Sequence, residues 1–342
     1  VREPRQIIDR KALKAELEEL VAWSGYTPKT QGQVLEIFKR AYRTGWEEVR
    51  RRFEDVEAGG PETTHANAYL MDQVVRLIHE FALSSIYPAA NPTTGEQMAV
   101  IATGGYGRGE LAPFSDIDLM FLLPYKLTPH SEQVVEYTLY SLWDLGLKVG
   151  HATRSIEETI RLAGDDLTIR TSLLDARWLW GNQALFREFQ ARFHEELVVG
   201  SGPKFVEEKL AERDERHRRM GDTRYVLEPN LKEGKGGLRD LQTLFWISKY
   251  LYQAANAQDL CDAGVLTAAD VKSFGKAENF LWTVRCHLHY LAARPEERLT
   301  FDVQEELGSR MGYKDHAGTR GVERFMKHYF LTAKDVGDLT RV

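Results

Sequence analysis

Strand signals are confined to one stretch of this chain, residues 98–179, within a sequence that otherwise reads as helix. A chain patterned this way folds around one small sheet carried between helical regions. Residues 98–103 form a short apolar run that leads into a glycine cluster, and residues 117–123 form a second buried strand. The spacing predicts further strands at 147–152 and 173–179, with helices at 132–145 and 156–163 between them. Upstream, residues 6–56 read as two amphipathic helices broken between Gly25 and Pro28, Gly59-Gly60-Pro61 as a linker, and 69–86 as a helix ending near Pro88. A loop of Pro, Asn, Thr and Gly follows. From about residue 185 onward the pattern is helical, interrupted by glycine-rich 232–238 and by 294–297. We expect an α/β (α+β) chain of three parts: a helical region 1–90, a sheet domain 91–182 and a helical domain 183–342. No internal repeat or low-complexity tract is visible.

Composition narrows the function. Hydrophobic residues are 43% and charged residues 28%, with 27 Gly and 11 Pro, which excludes disordered and collagen-like chains. The longest apolar runs fall far short of the roughly 20 residues a spanning helix needs, and no signal segment opens the chain, so a cytoplasmic protein without a membrane partner is expected. Cys261 and Cys286 cannot build a disulfide framework or a paired zinc site and read as packed thiols. A net charge of -6, from 45 basic and 51 acidic residues, argues against a nucleic-acid partner. The chain opens on Val1 and ends inside a helical pattern, so it is expected to be a piece of something longer.

The informative segment runs from Gly104-Gly105 through Arg108 and Ser115 to Asp116-Ile117-Asp118. Two carboxylates at i and i+2 on a strand share a face, repel one another and favour a hard divalent cation such as Mg²⁺. A glycine pair after a strand lets a polyphosphate approach the backbone. The dinucleotide fingerprint fails here because Glu110 stands where its third glycine belongs, and the P-loop's Gly-Lys-Ser/Thr is absent. Together the two halves describe a site for a metal-bound nucleoside triphosphate. The plain alternative is that both aspartates are solvated residues at a strand end.

The run GGYGRGELAPFSDIDL resembles the nucleotidyltransferase superfamily that includes DNA polymerase beta and, more specifically, the bacterial protein-PII uridylyltransferase/uridylyl-removing family, glnD type. A second block, residues 228–242, resembles that family's other signature, with Lys235 standing where family members usually show Pro. Weaker similarity extends through Leu288-His289 to Phe301 and from Phe325 to Arg341. The resemblance implies a DNA polymerase beta-like fold with helical extensions, the later one closing over the nucleotide. It also implies transfer of UMP from UTP to a tyrosine of the PII protein, release of pyrophosphate, and Mg²⁺ or Mn²⁺ as cofactor.

In that picture Asp116 and Asp118 hold the metals, and Gly104, Gly105, Arg108 and Ser115 contact the nucleotide. The superfamily's third carboxylate falls first on Asp175 and second on Asp144, with His151 able to take that place; Asp175 could instead simply pair with Arg177. Lys232, Lys235 and Arg239, set among three glycines before a helix, suit the distal phosphates, or else the loop is a helix start with Asp240 as a structural partner. Arg213, Arg216, Arg218 and Arg219 read as a mostly solvated run, of which Arg219 is a possible triphosphate contact. His287 and His289 are two apart on a helix and so are not a metal pair. No histidine is followed by Asp, so the family's hydrolase and ligand-sensing domains are expected to be absent. Two other readings compete: adenylyl transfer to another protein such as glutamine synthetase, and a silent nucleotide-sensing module.

Overall fold

In the computed structural model, which describes residues 1–55, 58–89 and 93–341, four strands form one mixed sheet. Val56, the last residue of the second expected helix, the middle of the loop after Pro88 (90–92) and Val342 lie outside the described residues. The strands are β1 (Ala99–Ala102), β2 (Ile117–Leu123), β3 (Val149–Ser155) and β4 (Arg177–Gly181), in the order β3-β2-β1-β4. β1 pairs antiparallel with β2 and with β4, and β2 pairs parallel with β3. The fold is the mixed α/β architecture expected of a nucleotidyltransferase-like domain with helical extensions.

The chain divides into two compact units. The first comprises residues 1–58, 62–111 and 115–197, the second 59–61, 112–114 and 198–342. In the first unit the sheet face bearing Val100, Ala102, Leu119 and Phe121 shares one core with Phe38 of the helix Pro28–Asp55 and with Val74 and Ile78 of the helix Gly60–Phe81. β1 is entirely buried, which is why it reads as a continuous apolar run rather than an alternating one. The second unit packs Leu241, Leu281, Leu288, Phe325, Tyr329 and Val336 from the helices Leu238–Tyr252, Ala268–Ala292 and Gly321–Leu339. Among the described residues no helix is long and apolar enough to cross a membrane.

Two expectations shift. The segment read as a strand at 173–179 is split: Leu167–Leu174 is a helix and β4 starts only at Arg177. The cause is Asp166, whose side chain accepts hydrogen bonds from the amides of Thr168 and Ile169 and starts a helix that outcompetes the extended state. Gly60 and Pro61, read as a linker, begin the helix Gly60–Phe81. Gly60 is needed there because a Cβ would lie 2.2 Å from the backbone nitrogen of Thr283.

Candidate active site

Antiparallel pairing of β1 with β2 brings the residues after β1 and those opening β2 to the same end of the sheet. The Thr103 amide donates to the Asp118 carbonyl at 3.0 Å, which fixes that juxtaposition. The chain then turns through Gly104 at φ +57° into a single helical turn, Gly104–Gly107. Gly107 is obligatory by contact, since a Cβ would stand 2.2 Å from the Asp175 carbonyl oxygen.

Asp118 is exposed in a strand whose other residues are all buried, and Asp116, just before the strand, is exposed as well. Asp118 sits on the sheet face opposite Leu119, opposite Gly150 in the β2–β3 register. A Cβ at Gly150 would stand 2.3 Å from Asp118 Oδ1, and one at Gly104 would stand 3.4 Å from Asp118 Oδ2 and 3.5 Å from Ser172 Oγ. The carboxylate thus lies between two residues without side chains, with a hydroxyl nearby. Asp116 makes no hydrogen bond or ion pair among the described residues. A carboxylate oxygen set between two glycines, with a second exposed carboxylate two residues before it, suits a hard divalent cation that completes its shell with phosphate and water. Among the described residues no group of three His, Cys, Asp or Glu side chains gathers to hold a metal.

The other sequence candidates in this unit are placed differently. Asp175 caps the end of the helix Leu167–Leu174 with its side chain fully buried, and it accepts from Arg108 Nη1 at 2.7 Å. Arg108 also donates to Glu110 Oε2 at 2.7 Å; burial opposes its charge, but the two carboxylates outweigh burial and raise its pKa. Two candidates are therefore each other's partners. Arg177 does not pair with Asp175: it grips Asp72 at 2.6 and 3.0 Å and donates to the Tyr106 and Gly107 carbonyls at 3.0 Å, bracing the glycine turn. Ser115 is half-buried before β2, and Asp144 is exposed at the end of the helix Pro129–Asp144. His151 pairs with Leu119 rather than Asp118, which puts it on the other sheet face, with its ring 5.9 Å from that of Trp143. Sequence reading missed Gly150 and Ser172. A lone glycine inside a strand was the available signal for the first; nothing marked the second.

In the second unit the loop before the helix Leu238–Tyr252 is organised around Asp240. This buried carboxylate accepts from Arg216, from His217 Nε2 at 2.9 Å and from the Gly236 amide at 2.8 Å. Burial pushes its pKa up, but His217, Arg216 and the Gly236 amide win and hold it below the usual carboxylate range. Arg216, read as part of a solvated run, is only 5% exposed. Arg239 donates to Glu233 Oε1 at 3.0 Å and Gln242 Oε1 at 2.9 Å and lies over the Trp246 ring at 5.3 Å. Lys235 is bound to Asp222 at 2.8 Å. The Lys232 ammonium has no hydrogen bond or ion pair among the described residues, and burial first, then Arg285 and Arg239, lowers its pKa.

The family model described as GlnD PII-uridylyltransferase matches residues 204–342, which include the whole second block. Over 342 residues the chain is 59% identical to the bifunctional uridylyltransferase/uridylyl-removing enzyme of Rhodospirillum rubrum, covering 100% of this chain and 36% of that protein. It is 59% identical over 338 residues to the protein of the same description from Azospirillum brasilense, covering 99% of this chain and again 36% of the relative. The chain thus spans about a third of the length of the curated relatives it matches. With likeness along its whole length and both sequence blocks inside the aligned region, the chain is similar to about a third of a bifunctional uridylyltransferase/uridylyl-removing enzyme, and its later part matches the GlnD PII-uridylyltransferase model.

Proposed function

We propose that this chain transfers UMP from UTP to a tyrosine hydroxyl of the PII nitrogen-regulatory protein in the bacterial cytoplasm, releasing pyrophosphate, with Mg²⁺ or Mn²⁺ held by Asp116 and Asp118. The observation that carries this reading is the Asp118 carboxylate set between Gly104 and Gly150 beside exposed Asp116. The names of the relatives support uridylyl transfer. When bound, the metal would neutralise phosphate charge and favour the oxyanion form of the attacking hydroxyl. The chain's own residues position the reactants. Gly104 and Gly105 leave the backbone open to phosphate, while Arg177, and Asp175 through Arg108, brace that turn from behind. The tyrosine oxygen bonds to the α-phosphorus as the α–β phosphoanhydride bond breaks, the phenolic proton is lost, and the electron pair leaves with pyrophosphate. Asp175 would have to release Arg108 to bind a metal, so the reading gives it the bracing role. Lys232, Lys235 and Arg239 are assigned to phosphate by their chemistry. Intact-mass analysis of a PII protein incubated with the chain, Mg²⁺ and either UTP or ATP tests the proposal. A UMP adduct on tyrosine is the expected result; an AMP adduct, or no adduct with UTP, overturns it.

A further inference from the structure

Within the second unit a cavity of about 370 Å³ is lined by Arg219, Arg224, Lys235 and Arg298, with Glu228 and Asn230 among its polar neighbours. That volume lies within the roughly 300–1,000 Å³ of small-molecule sites. The charge is unusual for this protein. Four cations and one carboxylate line the cavity, whereas the whole chain carries a net charge of -6.

The carboxylate is already engaged, since Glu228 Oε1 accepts from the Phe301 amide at 2.9 Å. Lys235 is occupied by Asp222 at 2.8 Å. The guanidiniums of Arg219 and Arg298, by contrast, make no hydrogen bond or ion pair among the described residues. Arg224 is held in place: it donates to the Lys334 carbonyl at 3.3 Å and lies over Gly337, where a Cβ would meet the guanidinium at 2.7 Å. One anchored and two unpartnered guanidiniums around one cavity make a concentration of planar, five-donor forks, the geometry that matches phosphate oxygens.

We propose that this cavity is a metal-independent binding site for a compact phosphate oxyanion of the pyrophosphate class. It shares Lys235, and Arg219 of the charged run read from the sequence, with the triphosphate contacts above, but it stands whether or not Asp116 and Asp118 hold a metal. The anion could come free or as the terminal phosphates of a nucleotide, and both present the same chemistry to the cavity.

Calorimetric titration of the chain with pyrophosphate in EDTA tests this. Saturable binding is expected, weakened tenfold or more in the Arg219→Gln/Arg298→Gln double variant. Because neither guanidinium has a partner to lose, the variant's thermal unfolding should match wild type; the Arg298→Gln single variant gives a second reading, with a smaller loss. Asp116→Asn should bind pyrophosphate as wild type does, so failure of this site and failure of the transfer reading are separable. UTP that competes with pyrophosphate in EDTA assigns the cavity to nucleotide phosphates, and pyrophosphate binding without such competition assigns it to the free anion; either supports the site. No binding to wild type, undiminished binding to the double variant, or equally tight binding of citrate would overturn it.

Discussion

The two glycine-rich turns of this molecule look alike as sequence and differ in what they do with charge. The turn after β1 leaves Asp116 and Asp118 exposed, one of them over residues that lack a side chain. The loop before Leu238–Tyr252 has most of its charge in ion pairs: Asp240 with Arg216 and His217, Arg239 with Glu233, Lys235 with Asp222. Its glycines are required by backbone packing. A Cβ at Gly236 would lie 2.4 Å from the Ala333 carbonyl oxygen, and one at Gly237 would lie 2.7 Å from that of Leu231. Glycines beside charged residues therefore do not by themselves mark a phosphate site; how exposed the charges stand is the more discriminating observation.

That contrast can be broken at several points. Asp118→Asn should reduce transfer by about 10³-fold, roughly 4 kcal/mol, because it removes a metal charge at the reacting centre while leaving packing intact. Retention of more than a tenth of the wild-type rate at saturating metal would remove the first turn from the chemistry. Asp240→Ala should act on stability instead, costing about 3 kcal/mol because buried Arg216 loses its closest carboxylate and keeps only Glu233 at 3.9 Å. Its pH signature follows from the depressed pKa. The stabilisation is fully present above the ordinary aspartate value of about 4 and is lost as pH falls through the lower folded value, so wild type should show an acid-labile component that the variant lacks. Denaturant unfolding across pH 2–6 reads this out, and identical pH profiles would contradict the assignment.

Gly150→Ala comes next. The added methyl meets Asp118 Oδ1 at 2.3 Å and must push the carboxylate aside, a misplacement worth about 10² in rate. Steady-state turnover alongside circular dichroism distinguishes lost positioning from lost fold, and an unaltered rate would show that Asp118 needs no such clearance. The smallest effect is that of Arg239→Lys, expected to weaken UTP binding about tenfold, equivalent to about 1.4 kcal/mol. If UTP affinity is unchanged, the second loop is scaffold alone and the contrast between the turns is complete.

Much of the first turn was legible because its determinants are local: an apolar run, a glycine pair and two acids two residues apart at the start of a buried strand. Gly150 was not, because its meaning depends on the parallel register that sets it beside Asp118 some thirty residues upstream. Arg216 failed for the same kind of reason. Helical position placed it within a charged run, and only the approach of Asp240, 24 residues later, explains its burial. The last two residues of the helix Leu167–Leu174 were read as strand because leucines at 173 and 174 suit either state, and the deciding signal was the capping side chain of Asp166.

The Gly236 amide, which donates to Asp240, carries a consequence for how the second unit assembles. Asp240 is fixed by a helix whose contacting residues lie more than twenty positions earlier in the chain. The loop therefore has no reason to adopt its final form until that helix has docked, and its closure belongs late in folding, after the longer-range association has met its entropic cost. Deuterium exchange at this one amide would then time the docking: protection at Gly236 should appear together with burial of the Gly202–Arg219 helix and not before it.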